Sequence, residues 1–278
     1  MLTSPRFKWN EQLQAAALNA PALWRGARGT GVHLLQFALL DLGHNMPRST
    51  GQAMSPDGIF GSETRDVVKA FQHKAGLTVD GVVGGQTMAK LDALFSKHGH
   101  EVRLHFRSLA VSPLQPFEIL LKSAQIAFDQ YGIQIRSVSG QCLNLSKQQI
   151  EMFETIDGEC NWSITSGEYA ELQKLGMLVP PNEIRVYIVN DIGMPHVEGC
   201  AGHAPRRPAV TMIADSYRWV LPHEIGHVLL TEHFYPRHWD HPENLSRLEG
   251  HSNNPSPIPV LSDLQVRAMR KSPFCREI

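Results

Sequence analysis

The sequence predicts an α+β protein: a small three-helix bundle over residues 1–98, followed by a mixed-sheet domain over residues 99–278. Two observations carry that division. A DGxxGxxT pattern occurs twice in the first third, at Asp57 and at Asp80, each time leading into an apolar-periodic stretch. After a polar, glycine-containing join, SKHGHEV (96–102), strand-like alternation and helix-like periodicity take turns. The length of 278 residues also exceeds the usual single domain, so one domain of about 100 residues and one of about 180 are expected.

Composition narrows the function classes. With 42% hydrophobic residues, 19% charged residues and a formal net charge of -1, the chain reads as an ordinary globular protein without the basic field that attracts nucleic acid. Apolar runs such as VHLLQFALL (32–40) fall far short of the roughly 20 residues that span a bilayer, so no membrane span is expected. Residues 1–24 alternate polar with apolar side chains and lack the apolar run of a secretory signal. The expectation is export to the periplasm or extracellular space by a signal-peptide-independent route, or else a cytoplasmic protein. The four cysteines, Cys142, Cys160, Cys200 and Cys275, form no CxxC pair, which argues against a cysteine zinc site and leaves two disulfides or four buried thiols.

In each DGxxGxxT unit the Asp suits a tight turn by bonding its own backbone two residues on, and the Gly accepts a positive φ. A helix then starts after the second Gly, with Ser62 or Thr64 as its cap in the first unit. Upstream, GTGVHLLQFALLDLG (29–43) places Val32, Leu35, Phe37, Leu39 and Leu42 at mostly helical spacing. Three short helices around one core follow. The order GxxGxxVxxLQxxLxxLG, DGxFGxxT, FQ, GLxxDGxxGxxT over about residues 24–95 resembles the peptidoglycan-binding domains of cell-wall hydrolases. Gln36, Asp57, Gly58, Gly61, Thr64, Gln72, Asp80, Gly81, Gly84 and Thr87 are among the matching positions. The resemblance implies peptidoglycan as a partner. The bundle also resembles the propeptide of matrix metalloproteinases, but that use requires a cysteine just after it, and the first here is Cys142.

In the second domain EVRLHFRSLAV (101–111), IQIRSVS (133–139), EIRVYIVND (183–191) and PAVTMIAD (208–215) read as strands, and PFEILLKSAQIAFDQYG (116–132) as a helix with a Gly stop. The last helix contains HEIGH, from His223 to His227. Two imidazoles four residues apart lie on one helix face, one turn apart, and both can reach one ion. Glu224 is then beside the open coordination position, where a carboxylate can take a proton from metal-bound water. HExxH alone arises by composition in roughly 4% of chains of this length, and requiring His233 ten residues after His223 cuts that by a further factor of about 20. Because residue 233 would point away if the helix ran on, the helix is expected to stop between His227 and His233. Pro222 belongs in a first turn, so the helix is expected to begin near Arg218 to Leu221 or to kink there.

HExxHxxxxxH resembles the metzincins, a family of zinc peptidases. The resemblance implies a metzincin-like domain with Zn2+ held by His223, His227 and His233 and with Glu224 as catalytic base. Two positions depart from the family's pattern: Leu230 stands where its turn has Gly, and Ser246 where a Met is expected, with Met269 a remote substitute. Glu232, His238, Asp240, Glu243 and Glu249 are the alternative ligands to His233, while His238, His241 and Tyr235 suit roles in supporting the ligands or an oxyanion. GCAGHAPRRPAV (199–210) resembles the segment leading to the family's substrate-side edge strand, where His203 is expected either to touch substrate or, the favoured reading, to be simply exposed. The implied function is a zinc-dependent peptidase at the bacterial cell wall, acting on peptidoglycan peptides or on wall-associated protein. The alternative is a non-catalytic wall-binding protein with a structural or inactive zinc site. An immunity or inhibitor protein is left unassigned.

Overall fold

The computed structural model describes residues 1–51, 55–109, 117–157, 160, 164–195, 197–204, 206–230, 258 and 260–278. It divides into two compact units. The first comprises Met1–Gly99, Asp129–Gly132 and Val260–Arg267, and the second His100–Phe128, Ile133–Pro259 and Ala268–Ile278.

The first unit is built on helices α1 (Glu11–Ala17), α2 (Thr30–Asp41), α3 (Pro47–Thr50), α4 (Ser62–Lys74) and α5 (Gly85–Leu94). Helices α2, α4 and α5 are the three that apolar spacing predicts. The other two are too short for a period to show. Asn10 starts α1 by accepting the Leu13 N–H at 3.0 Å. Leu13, Val32, Leu35, Phe37, Phe60, Val68, Phe71, Val83, Met88 and Leu91 are buried in this unit.

The two DGxxGxxT loops are each organised by one buried glutamine. Gln36 Nε2 donates to Asp57 Oδ1 (2.8 Å), the Ile59 carbonyl (3.1 Å) and Thr64 Oγ1 (3.0 Å), while its Oε1 accepts the Gly58 N–H at 3.0 Å. Gln72 repeats the pattern with Asp80 (2.9 Å), Val82 (2.9 Å), Thr87 (3.1 Å) and the Gly81 N–H (2.9 Å). In both loops the Asp carboxylate accepts the N–H two residues on, from Ile59 and from Val82. Gly58 and Gly81 sit at φ 68° and 74°. Neither expected cap is used: Gly61 is the N-cap of α4, Ser62 is already helical, and the Thr64 hydroxyl is taken by Gln36 and Ile59.

Asp129 is a second anchor of this unit. It is 4% exposed and accepts from Trp9 Nε1 (2.9 Å) and His98 Nε2 (2.7 Å) while pairing with Lys8 Nζ (2.9 Å). Burial alone would raise its pKa, but the bonds from His98, Trp9 and Lys8 together hold it below the ordinary carboxylate value.

Along the remainder of the chain follow β1 (His100–Ser108), α6 (Phe117–Asp129), β2 (Ile133–Cys142), α7 (Lys147–Met152) and α8 (Gly167–Leu172). Then come β3 (Ile184–Val189), β4 (Gly199–Cys200), β5 (Ala209–Ile213), α9 (Val220–Leu230), α10 (Asp263–Arg270) and β6 (Arg276–Glu277). The strands form one mixed sheet ordered β2-β1-β3-β5-β4, in which β2, β1, β3 and β5 are parallel. β4 joins the edge antiparallel to β5, and β6 pairs antiparallel with the start of β1. β3 is buried along its whole length, as a central parallel strand must be. Residues 199–200 thus form the edge strand themselves rather than leading to it.

The cysteines follow neither of the two expected patterns. Cys160 and Cys200 form a disulfide, while Cys142 is exposed and Cys275 buried as free thiols. Among the described residues no helix is long and apolar enough to cross a membrane.

Gln36→Leu should destabilise the full chain by about 2–4 kcal/mol in urea unfolding, because it removes the acceptor of the Gly58 N–H and the donor shared by Asp57, Ile59 and Thr64 in a buried loop. An acid titration followed by circular dichroism should show a second effect. A carboxylate with a depressed folded pKa contributes fully above its unfolded value of about 3.9, and the contribution is lost as pH falls through the folded value. Asp129→Asn should therefore flatten the loss of stability below about pH 4.

Candidate active site

Helix α9 reads VLPHEIGHVLL, and nine of its residues are buried: Val220, Leu221, Pro222, Glu224, Ile225, Gly226, Val228, Leu229 and Leu230. The two that remain are His223 and His227, one turn apart on a single stripe. A helix apolar on almost every side is fixed by burial, here against β5 and β4, and that packing places its two imidazoles. The helix begins at Val220, with the Val220 N–H donating to the Tyr217 carbonyl at 3.0 Å, and Pro222 falls in the first turn. Just upstream, the Glu198 carboxylate accepts the Tyr217 N–H at 2.8 Å and the guanidinium of Arg218 lies 4.3 Å from the Trp219 ring centroid.

The Nε2 atoms of His223 and His227 are 3.1 Å apart. Two nitrogens bound to one ion at 2.0–2.1 Å with a tetrahedral angle would lie roughly 3.3 Å apart, so this pair fits a shared cation such as zinc without rearrangement. Burial first, and then the neighbouring His223, push His227 down to about 3, which keeps its imidazole in the neutral, metal-binding form at neutral pH. Among the described residues no group of three or more His, Cys, Asp or Glu that could hold a metal ion occurs. His233 lies outside the described residues, as do Glu232, Tyr235, His238, Asp240, His241, Glu243, Ser246 and Glu249. Leu230 is the last residue described in α9 and is still helical. Met269 is fully buried.

Glu224 is buried beside the edge strand. A Cβ at Gly199 would come within 2.7 Å of Glu224 Oε1 and 2.8 Å of its Cγ, so the backbone of β4 lies directly on this carboxylate. Tyr169, on α8, is near enough to feel the same carboxylate. Burial pushes its phenol up to about 12 and the Glu224 charge adds to the shift, so the hydroxyl stays protonated at neutral pH. Tyr169 is marked by no motif, and although Gly199 opens the 199–210 segment, nothing in the sequence ties either residue to Glu224; that relation becomes visible only once β4 and α8 are packed. The disulfide from Cys160 to Cys200 ties the residue next to Gly199 to the chain before α8. His203 is half-buried rather than exposed: its Nδ1 lies 2.9 Å from the Ala204 carbonyl and its ring packs edge-on against Phe274 at 6.1 Å. Gln173 fixes the same loop, donating to the Gly202 carbonyl (2.8 Å) and accepting the Ala204 N–H (3.1 Å).

The first unit offers a separate surface. A cavity of about 360 Å³ is lined by Gln12, Ala15, Pro21, Ala22, Leu23, Trp24, Gly26 and Ala27, with the Trp24 ring largely exposed.

Residues 28–91 match the family described as a putative peptidoglycan binding domain. The chain is 36% identical over 84 residues to the N-acetylmuramoyl-L-alanine amidase CwlL of Bacillus licheniformis, a match spanning 30% of this chain and 22% of that protein. Among solved structures, a peptidoglycan-binding protein from Clostridioides difficile in complex with glutamine hydroxamate is 35% identical over 27% of this chain and 42% of its own. An L,D-transpeptidase from Xylanimonas cellulosilytica is 39% identical over 30% of this chain and 40% of its own. The endolysin of Burkholderia AP3 phage is 27% identical over 40% of this chain and 36% of its own. The TM-score is 0.23 in all three cases, so these likenesses add nothing to the fold described above.

Gly199→Ala should force Glu224 or β4 to move. We expect it to lower thermal stability by about 1–3 kcal/mol, read from the shift in unfolding midpoint against the parent chain.

Proposed function

We propose that this protein is a zinc-dependent peptidase directed to the bacterial cell wall by its N-terminal peptidoglycan-binding domain. The observation that carries the reading is the single stripe of α9: a helix buried everywhere else presents two imidazoles whose Nε2 atoms converge at 3.1 Å, with Glu224 next to the first of them. On this reading His223, His227 and His233 hold the ion, and bound Zn2+ supplies a Lewis acid that polarises the scissile carbonyl and acidifies its water. Glu224 accepts the water's proton and passes it to the departing amine. Burial under β4 keeps that carboxylate out of bulk water and fixes its direction. The Tyr169 phenol, protonated and close enough to feel the Glu224 charge, is a hydrogen-bond donor at the same end of the site. Among the described residues β4 is the last strand of the sheet, an edge on which an extended peptide can add as a further strand.

The domain at residues 28–91 supports wall attachment, and tethering raises the effective concentration of a peptidase near wall peptides. The Trp24 cavity is the aromatic, apolar surface of this unit best suited to the C–H face of a sugar ring. The substrate class we assign is the peptide part of peptidoglycan, or protein held in the wall. The route by which the chain would reach the wall belongs to this proposal too.

Purified full-length protein should carry about one zinc per chain by elemental analysis, and should release peptide fragments from sacculi or from denatured casein in a chelator-sensitive way. Glu224→Gln should keep the zinc and lose activity by at least about 10²-fold. Hydrolysis that survives this change would sink the mechanism, while sacculus binding with no hydrolysis by the parent would favour the non-catalytic alternative.

A further inference from the structure

The sheet face that carries His105 and Arg185 is unusually rich in buried charge. In the β1–β3 register His105 stands beside Arg185 and Arg107 beside Tyr187. Most cations along β1 and its neighbours have a carboxylate. Arg103 Nη1 lies 2.8 Å from Glu183, and His105 Nε2 lies 2.6 Å from the other oxygen of the same residue. Arg136 and Arg276 both pair with Glu101. Arg107, Arg185 and Arg207 are different: among the described residues none of the three makes an ion pair. Arg107 donates to the Phe106 carbonyl (2.8 Å) and Ser139 Oγ (3.3 Å), and Arg185 Nη2 to the Val179 carbonyl (3.3 Å). Arg185 is 7% exposed, and its Nη1 is buried with no hydrogen-bond partner. A buried guanidinium with an unused donor and two like charges nearby is a costly arrangement unless an anion completes it.

A cavity of about 190 Å³ opens beside it, lined by Gln173, Lys174, Leu175, Gly176, Met177, Leu178, Arg185 and Arg207. Its wall is built. The Leu175 carbonyl accepts from Tyr187 Oη at 3.0 Å, and the Met177 N–H donates to Gln141 Oε1 at 3.2 Å. Gly176, at φ 89°, lies on Arg107, where a Cβ would come within 2.8 Å of Nε. Lys174 is already engaged by Glu171, at 2.5 Å, so the available cations are Arg185 and the exposed Arg207. At the rim, Met177 and Leu178 are exposed apolar side chains.

We propose that this cavity is a binding site for a carboxylate carried on an apolar residue of a peptide, with Arg185 and Arg207 as the anion's partners and Met177 and Leu178 against the side chain. The planar fork of a guanidinium matches a carboxylate in two parallel hydrogen bonds, and the apolar rim suits a peptide residue better than a free inorganic ion. The site does not depend on zinc, so its failure and that of the peptidase reading are separate results.

The test is calorimetric titration of the full-length chain with acetyl-Ala-Leu bearing a free carboxylate, with the same dipeptide as its C-terminal amide, and with inorganic phosphate. The free acid should bind saturably, and the amide and phosphate at least about tenfold more weakly. Arg207→Gln, an exposed position, should weaken the acid about tenfold without disturbing the fold, and Arg185→Lys should weaken it similarly by removing the fork. No saturable binding of the acid at millimolar concentration, equal binding of the amide, phosphate binding in preference to the acid, or unchanged affinity in Arg207→Gln would each overturn the proposal.

Discussion

The constraint on which the second unit depends is that α9 must be covered on every side but one. Eleven residues with nine buried cannot stand at a surface, and the packing that hides them also aims the imidazoles of His223 and His227 at a common point. The edge strand contributes most directly. With Gly at 199, β4 can close on Glu224 at a distance that any side chain would forbid, and the Cys160–Cys200 disulfide holds the neighbouring residue in place. A carboxylate is thereby buried next to ligand-type imidazoles, where solvent cannot screen it.

The first unit obeys a different rule. The conformation of its two loops is set by two buried amides that each bind a donor and three acceptors. Each Gln is fully used, which makes the network specific as well as stable. Asp80 belongs to the same logic: the Val82 N–H, chiefly, holds it below the ordinary carboxylate value, opposed by its partial burial and helped by Gln72. The duplication seen in the letters DGxxGxxT is thus a duplication of hydrogen bonds.

Charge in the second unit is arranged with equal economy except in one place. Glu101 and Glu183 each serve two or more cations, whereas Arg107, Arg185 and Arg207 face a pinned loop and a cavity. The contrast between satisfied and unsatisfied guanidinium groups on one sheet face gives that cavity its chemical character.

Much of this was legible in the chain. The regular elements α2, α4, α5, α6, β1, β2, β3, β5 and α9 follow from the runs and spacing of apolar residues within each of them, or, in α9, from the HEIGH motif as well. Asp57, Gly58, Asp80 and Gly81 announced their turns through chemistry that acts within two residues. The short helices α1, α3, α7 and α8 and the two-residue β4 offered too few residues for such a pattern. Every relation between distant residues was likewise silent: Gly199 on Glu224, Cys160 with Cys200, Asp129 with Trp9 and His98, and Arg185 beside the 173–178 loop. Local hydrogen bonds and side-chain periodicity are written in neighbouring letters, so the sequence determined them by itself. Which buried charge finds a partner is decided by strand order and loop closure, and those exist only in the folded chain.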